Sequence, residues 1–165
     1  MSVVTRSTIA PSLRIPQLSR FAWLMGLYAE NHQRLQRLFE PERLAAGSHL
    51  STGRDGLDLR LEVIEQHAYT IELRLAYVQL RDDVTGQPDP SAYVRYYRDA
   101  RQAEVTHCYV GRQWQDVLGT HPPLPALIDH RMRMNAFFSK WLEYLCEQGH
   151  SWLTLRPSED VPTAT

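Results

Sequence analysis

The stretch from Val94 to Val105 concentrates the side chains best suited to binding chemistry. Read with a period of two, it places Arg95, Tyr97 and Asp99 on one strand face. Across any turn with an even number of loop residues, Glu104 comes to lie opposite Arg95 or Tyr97 on that same face. A guanidinium holds a carboxylate or phosphate through two parallel contacts. Arg95 would then grip an anion, Tyr97 would add a hydroxyl, and Asp99 and Glu104 would orient the guanidinium. The same row also suits a solvated sheet face with a cross-strand ion pair, worth ~0.2–1 kcal/mol. Arg131 is a second cation, near the start of the last helical stretch and on its apolar side. A helix N-terminus favours anions, so Arg131 needs a nearby acid such as Asp129, or a bound anion. Asn31 and Asn135 also fall on apolar helix faces. A buried amide without partners costs about 1–3 kcal/mol. These amides must therefore bond sheet backbone or each other, or line a pocket between helix and sheet.

Other chemistries find no support in the pattern. The seven histidines lack metal-ligand spacing, and the two cysteines, Cys108 and Cys146, lie in unrelated segments without a CxxC. No Ser/His/Asp set, glycine-rich phosphate loop or HExxH is present. The expectation is no metal and no cofactor. Carboxylate pairs such as Glu62/Glu65 and Asp82/Asp83 read as surface charges. The 165 residues carry a formal net charge of −1, which argues against a nucleic-acid binder. Every basic residue except Lys140 is arginine. The longest apolar run, Phe21–Met25, is far shorter than the ~20 residues of a membrane helix. The first residues lack the order of a signal peptide. Together these point to a cytoplasmic protein off the membrane.

The positioning elements follow from periodicity. A helix is expected from Ser19 to Glu40, stopped by Pro41, with Leu24, Tyr28, Leu35 and Phe39 inward. Residues 44–56, rich in Gly, Ser and Thr, read as a loop. Leu57–Val63 and Tyr69–Tyr77 alternate as two strands of a hairpin. After the polar loop Arg81–Pro90, Val94 and Tyr96 alternate with Arg95 and Tyr97, while Ala103, Val105, His107 and Tyr109 alternate with Glu104, Thr106 and Cys108. This is a second hairpin, turning near Asp99–Arg101. Residues 111–125 read as irregular and 127–148 as a helix closed by Gly149. The fold class is α+β: an N-terminal helix, two antiparallel β-hairpins in a roughly four-stranded sheet, and a C-terminal helix packed on it. Residues 17–152 form the domain, between a disordered leader (1–16) and a disordered tail (153–165).

Four blocks, in order, resemble one family. They are Glu30-Asn31 with Leu35-x-x-Leu38; Glu65-x-x-x-Tyr69-Thr70; Val94-Arg95-x-Tyr97-x-Asp99-Ala100-x-x-Ala103-Glu104-Val105; and Asn135-x-Phe137-x-x-x-Trp141-Leu142-x-Tyr144. The chain resembles the DUF1249 family, the YqiB-like small cytoplasmic proteins of proteobacteria. Arg131, Arg133 and Phe138 depart from its pattern, where Lys, Gln and Leu are common. The resemblance implies no transferable activity and only an association with nucleotide metabolism. The expected function is that of an accessory protein. It would bind a partner protein or a small anionic ligand on the second-hairpin face, through Arg95, Tyr97, Asp99 and Glu104 with Arg131 and Asn135 in support. The alternative is an enzyme acting on a nucleotide or phosphorylated metabolite.

Overall fold

A computed structural model describes residues 15–110 and 122–158, with side chains from Ser19 onward. The leader up to residue 14, the segment 111–121 with Trp114 and Gly119, and the tail beyond 158 lie outside the described residues. Helix α1 (Ile15–Phe39) ends one residue before Glu40 and Pro41, where proline removes the N–H needed to continue. A short 3-10 turn, Pro41–Arg43, leads into the sheet. The strands are β1 (Gly47–Thr52), β2 (Asp58–Gln66), β3 (Thr70–Tyr77), β4 (Ser91–Tyr97), β5 (Gln102–Tyr109) and β6 (Arg156–Pro157), and helix α2 spans Leu124–Glu147 between β5 and β6. The sheet is antiparallel throughout, in the order β5-β4-β3-β2-β1-β6. The α+β class and both hairpins are as expected.

The sheet has six strands rather than about four: the additions are β1, inside residues 44–56 that read as a loop, and the two-residue β6. The inward residues of β1 are His49 and Ser51, both buried, so the apolar alternation that marks a strand is absent. Their polar atoms are satisfied internally. His49 Nε2 bonds Ala45 O at 2.9 Å, and Ser51 Oγ bonds His150 Nδ1 at 2.7 Å and Thr154 Oγ1 at 2.6 Å. The last helix ends as its glycine predicts. Gly149 sits at φ 85°, its N–H bonds Cys146 O at 3.0 Å, and His150 N–H bonds Leu145 O at 3.1 Å, the paired bonds of a Schellman motif. That turn seats His150 against β1, and the following residues reach β6.

Both helices cover the same sheet face. Leu35, Phe39, Phe138, Leu142 and Leu145 meet Leu59, Leu61, Ile71, Leu73, Leu75 and Tyr96 in one core. The second face is open and carries Glu62, Arg74, Tyr93 and Arg95. One irregularity reshapes it. The β4–β5 register slips between Val94↔Val105 and Tyr93↔His107, leaving Thr106 as an extra residue. Alternation therefore inverts beyond Val105. His107 and Tyr109, expected on the core side, turn to the open face, and Cys108 turns into the core, where burial pushes its thiol up to about 12. Asp82 is likewise structural. It accepts Tyr109 Oη–H and the N–H groups of Val84 and Thr85, pinning the β3–β4 loop beside β5.

Burial holds His150 below its ordinary value of 6.5, with Asp55 and Asp58 opposing the shift, and also lowers His32 and His130. A folded-state value below the unfolded one means that the unfolded chain takes protons first. This contribution to stability is complete above pH 6.5 and is lost as pH falls below it. Denaturant midpoints measured from pH 8 to pH 5 should hold steady and then decline. His150→Gln should be less stable at pH 8 and decline less steeply; an unchanged acid slope would show that His150 is not part of the cause.

Candidate functional site

The expected constellation is partly assembled. Arg95 faces Glu72 on β3 and Glu104 on β5 in one cross-strand row. Arg95 Nη2 lies 3.7 Å from Glu72 Oε1, and its hydrogen bond to Tyr97 raises its pKa further above the usual arginine value. Tyr97 Oη donates to Glu104 Oε1 at 2.8 Å, and burial followed by that bond raises the phenol. Arg131 is half-exposed and does not face the core: it reaches over the β5 edge, with Nη1 4.0 Å from Glu104 Oε2. Asp129 serves Arg20 instead, at 3.1 Å. Tyr28, from α1, stands close to Arg131 and Glu104, and burial is the main cause that raises its phenol. Glu104 is thus shared by Tyr97 and Arg131, with Tyr28 beside them. Asp99 is not part of the group. It is exposed in the β4–β5 turn and has no hydrogen bond or ion pair among the described residues.

Asn135 has a different task from lining a ligand site. Its Oδ1 accepts Val105 N–H at 2.9 Å and Asn31 Nδ2–H at 3.2 Å, and its Nδ2 donates to Arg131 O at 2.8 Å. Both asparagines are fully buried. One amide therefore ties α1, α2 and the β5 edge together. Asn135→Ala strands the buried Val105 N–H, a cost of about 1–3 kcal/mol in unfolding free energy. Hydrogen exchange should show the Val105 amide opening faster than its β5 neighbours. Equal protection in the variant would remove this role.

The open face holds a larger assembly that the sequence did not flag. A cleft of about 790 Å³ lies between the sheet and the β3–β4 loop. Arg60, Arg74 and Arg81 line it with Tyr93, His107 and Tyr109, and no carboxylate is among its described lining residues. The register explains the gathering. Glu62, Arg74, Tyr93 and His107 follow one another across β2, β3, β4 and β5, and the bulge at Thr106 supplies the last of them. Arg74 lies 5.4 Å from the centroid of the Tyr93 ring, a cation–π distance, and 3.8 Å from Glu62 Oε2. Its Nε is buried and has no acceptor among the described residues. Arg81 is held across the loop by its Nη1 bond to Gly86 O at 3.2 Å. Arg95 lines a hollow of about 130 Å³ that shares Tyr93 and His107 with the large cleft. The only available signal was the outward strand arginine, which looks the same as a solvated one.

No helix among the described residues is long and apolar enough to cross a membrane. Comparison with curated proteins and with solved structures gives no significant match. A family model described as "Protein of unknown function (DUF1249)" matches residues 34–151, a span that includes both hairpins, the open-face cleft and helix α2. The chain belongs to the DUF1249 family.

Proposed function

We propose that the protein is a cytoplasmic, bacterial, YqiB-like accessory protein that binds a small phosphate- or carboxylate-bearing ligand in the open-face cleft of the second hairpin. The observation that carries this reading is the convergence of Arg60, Arg74 and Arg81 on a cleft lined by no described carboxylate. Such a concentration of guanidiniums raises the local potential for anions, and their forks match phosphate and carboxylate oxygens. A cleft of this volume falls within the ~300–1,000 Å³ common for small-molecule sites. Arg74 keeps a buried Nε donor without an acceptor among the described residues, while its guanidinium lines the cleft. The Arg95–Tyr97–Glu104–Arg131 network flanks the site, its charges already matched to one another, and it holds β5 in place. A ligand is preferred over protein docking because Tyr97, the side chain expected to present a docking surface, is turned to Glu104.

Titration with inorganic phosphate, followed through the His107 imidazole and the Gln87 side-chain amide, tests this. Both signals should shift and saturate. Arg74→Gln should weaken binding by about tenfold or more, the worth of one charge-assisted contact. Absence of a saturable shift with phosphate, citrate and nucleoside monophosphates would reject the reading. Turnover of a phosphate ester would replace it with the enzyme alternative.

A further inference from the structure

A second cleft lies at the other end of the second hairpin, on the helix side of the sheet. It is an open cleft of about 640 Å³ between the C-terminal half of α1, the 3-10 turn and the β4–β5 turn. Three arginines reach it from separate elements: Arg37 from α1, Arg98 from the end of β4 and Arg101 from the turn. None of the three has an ion pair among the described residues, and Glu42 is the one carboxylate of the described lining. The described lining therefore sets three guanidiniums against one carboxylate, with Asp99 in the same turn but outside the lining. The dipole of α1 accounts for a cation at Arg37, in its last turn. It does not account for Arg98 and Arg101, which belong to the hairpin.

Two further observations point to an occupant. The Arg98 Nε is buried and has no acceptor among the described residues. Buried donors are nearly always paired, so this one lacks a partner, which the described residues do not supply. Arg101 holds a left-handed backbone at φ 52°, a conformation suited to glycine or asparagine. Holding an arginine there carries a backbone cost that glycine would avoid. The wall is firm as well. His32 stacks on Tyr96 with 4.5 Å between ring centroids and 20° between planes, and Tyr96 Oη donates to Gln36 Oε1 at 2.7 Å.

We infer that this cleft is a separate binding site for a doubly or more highly charged phosphate group of a small metabolite, held by Arg37, Arg98 and Arg101. The site is independent of the open-face cleft and shares no lining residue with it. Its charge excess selects a phosphate monoester dianion or a diphosphate over a monoanion. Its volume exceeds that of a bare ion and admits the ester body.

Inorganic pyrophosphate is the probe, at constant ionic strength, with the side-chain amides of Gln33 and Gln36 and the His32 ring as reporters. In the wild type these signals should shift and saturate. Arg101→Gly is the decisive variant, because glycine relaxes the left-handed turn and the fold is retained while a phosphate contact is lost. Its affinity should fall by about tenfold or more. Glu42→Gln removes the opposing carboxylate and should tighten binding. Arg74→Gln, which disables the open-face cleft, should leave these reporters unchanged, so the two proposals fail separately. No saturable shift of Gln33, Gln36 and His32, or an undiminished affinity in Arg101→Gly, would overturn the inference.

Discussion

The arrangement depends on one buried oxygen. Asn135 Oδ1 accepts the Val105 N–H that strand β5 directs away from the sheet, and it accepts Asn31 from the other helix. An edge strand presents such donors in a row, and a buried donor needs a partner. Here the partner comes from the helix layer, so α1 and α2 are drawn to the β5 edge and packed together on one sheet face. Leu35, Phe138 and Leu142 complete the attachment through burial, which supplies most of the energy. The polar junction supplies the position. With both helices committed to one face, the opposite face is left to Arg74, Tyr93, Arg95 and His107.

Charge on this molecule is sorted by the same geometry. Where the helices turn over the β5 edge, Arg131 and Tyr28 meet Glu104, which also receives Tyr97. Arg95 is balanced by Glu72 and Tyr97. Those cations have partners within the chain. Arg74 and the arginines of the second cleft are less well matched. On the open face Arg74 has Glu62 at 3.8 Å, and its Nε has no acceptor among the described residues. At the hairpin end Arg37, Arg98 and Arg101 meet only Glu42 among the carboxylates of the described lining. Near-neutral overall charge therefore coexists with two local excesses of positive charge, which a composition count averages away.

Much of the fold was legible in the sequence because apolar alternation reports burial directly. Leu59, Leu61 and Val63, and then Ile71, Leu73 and Leu75, point inward as their spacing requires. Strand β1 was not legible, since its inward positions are His49 and Ser51, whose burial is supported by hydrogen bonds rather than by apolar area. The inverted facing of His107 and Cys108 was hidden for another reason: a bulge adds one residue without changing composition, and a period-two reading carries the wrong parity past it. The Arg95–Glu104 pairing was readable because both residues lie near one short turn. The clefts were not. Arg60, Arg74 and Arg81 come from three segments, and only the pairing of β2 with β3 and the folded-back loop bring them together.

The central claim is that the arginines of the two clefts, and not the Arg95–Arg131 pair, are where this protein takes up anions. Anomalous diffraction from crystals soaked in tungstate, a phosphate mimic with a strong signal, locates such anions directly. The account predicts a peak among Arg60, Arg74 and Arg81, a second among Arg37, Arg98 and Arg101, and none between Arg95 and Arg131, where Glu104 already sits. Empty clefts, or a peak between Arg95 and Arg131 with Glu104 displaced, would contradict it.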